Sequence, residues 1–226
     1  YHLLKCGYPS CPDNVMASNP QWCRSISSWK EQFSGWIENA DRHEQLGASI
    51  FFDFRHGHGT EQLAVDLRDH VITCCRKDNT IIGNLGRRFL NLQAPLSFFQ
   101  QFIVEQNGDH QDRLDIKMRG LAPVVDFARI MSLKYGIRHT NTLTRLKRLA
   151  AKKKVDREFY LEMVDAYELQ MQLRVIHQLS QIEEGSEPDD YIYPEQLTDL
   201  EKRMLKDGFG VIVKMQSIMR AELEGA

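Results

Sequence analysis

The sequence predicts an α+β fold that is predominantly α, and three observations carry that expectation. The front of the chain mixes short extended pieces with helices, the chain from Leu121 onward is helical almost throughout, and the helices there are long with short connections. Long helices joined by short loops pack as an antiparallel bundle.

The chain opens at Tyr1-His2-Leu3-Leu4-Lys5, without an initiator Met and in the manner of the last turn of an apolar helix. Gly7, Pro9 and Pro12 stop that helix, so the sequence reads as a fragment of a longer protein. Val15 to Ser18 reads as a short strand closed by Asn19-Pro20, because a residue before proline is pushed out of the helical region. Ser25 or Ser27 then caps a helix whose Trp29, Phe33, Trp36 and Ile37 form one apolar face.

The segment from Ser49 to Arg55 sets one acid, Asp53, into an apolar run that ends in the glycine-rich His56-Gly57-His58-Gly59. Read as a strand, it places Phe52 and Phe54 on one face and Phe51, Asp53 and Arg55 on the other. A buried, unpaired carboxylate costs several kcal/mol, so Asp53 requires a cation, a metal or hydrogen-bond donors. Arg55 is the nearest cation in sequence, and a structural Asp53/Arg55 pair stands beside a functional reading.

Thr60 caps a helix marked by Leu63, Leu67, Val71 and Cys74, and Ile81 to Leu92 forms a third. A break follows at Gln93-Ala94-Pro95. Phe98 to Glu105 and Leu114 to Met118 flank a polar loop, which predicts a long-looped hairpin, although the first arm also fits a helix. In the second arm Leu114, Ile116 and Met118 share a face, opposite Asp115, Lys117 and Arg119.

Val124, Phe127, Ala128 and Met131 mark the next helix, which Gly136 stops, and Asn141-Thr142 begins a short one through Leu146 and Leu149. Phe159, Met163, Ala166, Tyr167, Leu173 and Ile176 repeat along a long helix. Thr198 and Glu201 have capping-box spacing for the last, whose apolar face is Leu205, Phe209, Ile212, Met215 and Met219.

The 226 residues are 42% hydrophobic and 27% charged, ordinary for a globular chain, with a net charge of −2 that gives no global pull toward nucleic acid or an anionic membrane. No run approaches the ~20 apolar residues of a membrane helix, which leads to an expected cytoplasmic location and no membrane partner. Five cysteines with no C-x-x-C pair argue against a disulfide framework, and convergence of Cys6, Cys11, His56 and His58 on zinc is disfavoured by their spacing. Cys74 and Cys75 read as small core residues.

Several polar residues interrupt the helical apolar pattern. Asp126 and Arg129 are three apart and neighbours on one helix surface, either as an intrahelical pair or as part of a site, and Asn141 or Thr142 suits a helix cap. Arg119, Arg129 and Arg145 are candidates for a triphosphate or phosphoryl pocket.

Four runs in order, Gly7 to Trp22, Ile50 to Arg55, Leu114 to Asp126 and Asn141 to Leu146, resemble a bacterial family of nucleotidyltransferases that commonly follow cyclic-nucleotide-binding and CBS domains. The resemblance spans nearly the whole chain. It implies the C-terminal part of a nucleotidyltransferase-like α/β domain at 1–77, followed by an antiparallel helical bundle at 78–226 that binds substrate. Asp53 matches the third of three carboxylates that hold two Mg²⁺ ions for nucleotidyl transfer from a nucleoside triphosphate to a hydroxyl acceptor. Arg55 is the candidate to orient Asp53 or meet phosphate oxygens, and Arg119, Asp126, Arg129, Asn141, Thr142 and Arg145 are candidates for a cleft between the bundle and the catalytic domain.

The Gly-Ser turn and Asp-x-Asp pair of the family have no counterpart in this sequence, so Mg²⁺ is expected only in a full-length protein and this chain alone is expected to be inactive. The alternative is a regulatory or interaction module in a signalling protein, with a second copy of the chain among its candidate partners.

Overall fold

The computed structural model describes residues 2–38, 49–92, 96–97 and 101–225. In chain order the helices are α1 (His2–Lys5), α2 (Ile26–Glu38), α3 (Glu61–Lys77), α4 (Thr80–Leu90), α5 (Ala122–Lys134), α6 (Thr142–Ala151), α7 (Arg157–Glu183) and α8 (Asp199–Glu224). Two-residue strands β1 (Leu114–Asp115) and β2 (Tyr191–Ile192) pair antiparallel, with Leu114 opposite Ile192 and Asp115 opposite Tyr191. The fold is therefore mostly helical with one small sheet.

Local chemistry sets the helix ends. Ser25 Oγ accepts from the Ser28 amide at 3.2 Å at the start of α2, and Asn141 Oδ1 accepts from the Thr144 amide at 3.0 Å at the start of α6. Thr198 and Glu201 close the full capping box of α8. Gly136 ends α5 with φ +66°, where a side chain would be strained.

Helices α7 and α8 run antiparallel. Lys214 of α8 meets Glu162 of α7 at 2.7 Å, and Gly208 of α8 lies against Ala166 and Gln170. The core is contiguous from Phe33 of α2 through Phe127 and Met131 of α5 to Met215 and Met219 of α8. Between β1 and α5 the chain makes a π-helical turn, Lys117–Leu121, whose Gly120 abuts the fully buried Gln170. No helix among the described residues is long and apolar enough to cross a membrane.

Several sequence expectations are corrected. The segment 49–55 is not a strand: residues 49–51 form a helical turn, and the amides of Phe52, Asp53 and Phe54 bond back three residues, to the carbonyls of Ser49, Ile50 and Phe51. The three phenylalanines pack toward the aromatic face of α2, Phe51 on Trp22 and Trp36, and Phe52 and Phe54 on Phe33. Aromatic burial therefore wins over the two-face alternation.

Val15 to Ser18 lies in turns and bends, since Met16 and Asn14 accept the bonds of a compact loop rather than of a ladder. The hairpin is replaced by pairing of β1 with distant β2, while main-chain bonds from Glu105 to Arg113 and from Asp112 to Glu105 close the intervening loop. Phe98 and the break at 93–95 lie outside the described residues. Met118 leaves the Leu114/Ile116 face because the π turn rotates it into solvent. In α3 the buried line is Leu67, Arg68, Val71, Ile72 and Cys75, while Leu63 is exposed; in α7, Ile176 is exposed because α8 covers only the first half of that helix's apolar positions.

Candidate functional site

Asp53 is drawn into a knot of arginines. Its Oδ2 accepts from Nε and Nη2 of Arg129 at 2.9 and 2.7 Å, and its Oδ1 accepts from Nη2 of Arg145. Both Arg129 donors converge on Oδ2 while Arg145 takes Oδ1, and charge-assisted bonds of this kind are stronger than neutral ones. Arg129 comes from the buried face of α5 and also donates from Nη1 to Asp126 Oδ1 at 2.6 Å. Arg145 comes from α6, is 1% exposed, and donates from Nε to the carbonyl of His139 at 2.7 Å.

A third arginine, Arg68 of α3, completes the arrangement. Its guanidinium donates to the main-chain carbonyls of Phe52 and Phe54, the two residues flanking Asp53, and lies 4.0 Å from the centroid of the Phe54 ring. Those carbonyls are the acceptors that a β-ladder would have used. Arg68 thus fixes the turn that aims Asp53 at Arg129 and Arg145.

The electrostatics follow from burial and charge. Burial pushes the Asp53 carboxyl up, but the hydrogen bonds and charges of Arg145 and Arg129 together outweigh it and hold the group below its ordinary value. For Asp126 burial prevails and raises the carboxyl above its ordinary value, against the pull of Arg129 and Arg88 and with Asp53 adding to the rise. Burial, followed by the charge of Arg145, lowers Arg68 to about 10 while Asp53 opposes the change.

Of the residues singled out from sequence, Asp53, Asp126, Arg129 and Arg145 are brought together. Arg55 is not: it is exposed, and the role of partner to Asp53 passes to arginines of α5 and α6 because the turn points the carboxylate toward the bundle. Arg119 is engaged with Glu105 at 2.9 Å. Asn141 caps α6 and Thr142 is buried in its first turn. Arg68 was missed, although its spacing with Ile72 and Cys75, four and three residues, places it on the apolar stripe of α3.

The carboxylates present do not fit a Mg²⁺ pair. Both Asp53 oxygens are bound by guanidinium groups, Asp126 is bridged by Arg129, and no three His, Cys, Asp or Glu side chains among the described residues group for a metal.

Residues 80–223 match the family described as "Putative nucleotidyltransferase substrate binding domain". The chain belongs to this family. Residues 1–43 match a second description, "Putative nucleotidyltransferase DUF294". No curated protein and no solved structure matches the chain. Within the nucleotidyltransferase substrate-binding family match lie α4 to α8, and with them Asp126, Arg129 and Arg145; Asp53 and Arg68 fall between the two matched stretches. The knot therefore ties the segment between the stretches to the substrate-binding helices.

Proposed function

We propose that residues 78–226 are the substrate-binding part of a nucleotidyltransferase and residues 1–77 the end of its catalytic part. The reaction is nucleotidyl transfer from a nucleoside triphosphate to a hydroxyl acceptor, carried out by a longer protein and not by this chain alone. The observation that carries the reading is the clasp of Asp53 by Arg129 and Arg145, which joins the acid that the sequence resemblance likens to the family's third carboxylate to helices within the substrate-binding family match. A substrate seated on α5 or α6 would alter the same guanidinium groups that hold Asp53, coupling occupancy of the bundle to the position of that acid. A cytoplasmic setting behind cyclic-nucleotide-binding and CBS domains, with Mg²⁺ held by acids outside this chain, belongs to the same proposal.

The occupation of both Asp53 oxygens favours a second reading, a regulatory or interaction module in which the acid is structural. Transfer assays with labelled ATP, GTP, CTP and UTP separate the two. Turnover by a chain extended upstream, absent from the 226-residue chain and abolished by Asp53→Ala, supports the enzyme. Turnover by the 226-residue chain refutes the split, and no turnover by the extended chain selects the module.

A further inference from the structure

The buried charges around Asp53 do not balance. Arg68, Arg129 and Arg145 are 7%, 9% and 1% exposed, and they face two carboxylates, Asp53 and Asp126, the second of which burial drives toward its neutral form. Nη1 of Arg145 is buried with no hydrogen-bond partner among the described residues. Native proteins rarely leave a charged donor in that condition, so this part of the fold carries positive charge that its buried carboxylates do not offset.

The surface beside the knot offers a place for one. A cleft of about 380 Å³ lies between the loop carrying Phe54, Arg55 and His56, the first turns of α3 through Arg68, and the turn from Arg138 to Asn141. Arg145 stands directly behind it, its Nε holding the carbonyl of His139 in the cleft wall. A second cleft, also about 380 Å³, shares Asp69 and Arg138 with the first and continues to Arg76 and Lys152. Along the two, Arg55, Arg68, Arg76, Arg138 and Lys152 face only Glu61 and Asp69, in a chain whose net charge is −2. Arg138 pairs with Asp69 at 2.7 Å, whereas Arg55 makes no ion pair among the described residues.

We propose that this double cleft binds a phosphate-bearing anion, with Arg55 and Arg138 meeting phosphoryl oxygens and Arg68 and Arg145, both held by main-chain carbonyls, supplying fixed charge from behind. Guanidinium forks suit phosphoryl oxygens, and cations spread over two adjoining clefts suit several linked negative charges better than one carboxylate. Anion binding stands on the cations that line the two clefts and stand behind them; its role, as site for a nucleotide's phosphate chain or for a phosphorylated acceptor, rests on the proposed function.

Calorimetric titration of the 226-residue chain at low salt tests the site, with inorganic phosphate, tripolyphosphate and the four nucleoside triphosphates as probes. Tripolyphosphate is expected to bind, more weakly as NaCl is raised, and at least ~10-fold more weakly in Arg55→Glu and in Arg138→Glu. Both side chains are solvent-exposed, so the variants should keep the parent's circular dichroism and melting temperature. Arg220→Glu, an exposed reversal on α8, should leave binding unchanged.

Nucleotides binding tighter than tripolyphosphate would assign the site to the nucleotide; equal or weaker binding would assign it to the phosphate chain itself, as in a phosphorylated acceptor. Absence of binding by every probe, or an equal loss in Arg220→Glu, overturns the site. Neither result touches the transfer reaction, which the extended chain tests separately.

Discussion

Among the described residues, Asp53→Ala removes the one carboxylate that Arg145 reaches and leaves Arg129 with Asp126 alone. Breaking a buried ion pair by deleting one partner costs ~3–5 kcal/mol. Two features reduce that here: the Asp53 side chain is 24% exposed, and Arg129 keeps its bond to Asp126. The expected loss is ~2–3 kcal/mol, set chiefly by Arg145, which is 1% exposed and has no water to turn to. In urea, where a small domain loses ~1–3 kcal/mol per molar, the unfolding midpoint should fall by ~1–2 M.

The pH dependence supplies an internal control. The folded-state pKa of Asp53 lies below its ordinary 3.8, so its contribution is complete above the unfolded value and is lost as pH falls through the folded value. The gap between parent and variant should therefore be constant near neutrality and narrow below pH ~4. An acid kept for metal binding behaves oppositely in metal-free buffer, where its removal is neutral or stabilising. A loss under ~0.5 kcal/mol, or a gain, would refute the view that the arginine knot holds this part of the fold together.

Asp126→Asn should differ in sign from Asp53→Ala. Its folded-state pKa is raised, so the ionised form is disfavoured by folding and stability improves as pH falls through that raised value; the variant should match or exceed the parent at pH 7, within ~1 kcal/mol in urea unfolding. Gln170→Met should stabilise by ~1 kcal/mol or more in the same assay, because both polar atoms of the buried amide lack partners among the described residues, whereas Gly120→Ala should cost ~1–3 kcal/mol, its new methyl standing 2.8 Å from Gln170 Oε1. Burial, with Cys74 adding to it, pushes the Cys75 thiol up to about 12, so a thiol reagent at pH 8 should label exposed Cys6 promptly and Cys75 only at the rate of unfolding, as read by peptide mass spectrometry.

The features legible in the sequence are those whose cause is local. The caps at Ser25, Asn141 and Thr198, the stop at Gly136 and the buried face of α8 follow from side chains acting within one turn, and each stands where the residue types indicate. The segment around Asp53 was misread because two periodicities agree over so short a run: a strand and a three-residue turn both bring Phe52 inside. The deciding interactions, Arg68 on the carbonyls of Phe52 and Phe54 and the aromatic face of α2, come from elsewhere in the chain. Pairing of Leu114 with Ile192 is equally distant, and no local pattern announces it. For the site, residue type picked out Asp53, Asp126, Arg129 and Arg145, while sequence proximity wrongly favoured Arg55; the distance between partners, not their chemistry, was the missing information.

The order in which the chain is synthesised gives that distance a further meaning. Asp53 emerges from the ribosome before either arginine that holds it, Arg129 following 76 residues later and Arg145 92 residues later. Until α5 and α6 are made, the turn at 49–55 has its carbonyl clamp from Arg68 but not the guanidinium partners of its carboxylate. Non-local closure of this kind slows folding and leaves apolar surface exposed to association in the interval. A nascent chain arrested between Lys77 and Arg145 should therefore bind chaperones and resist locking, and the front of the molecule acquires its final geometry only when its later half arrives to complete it.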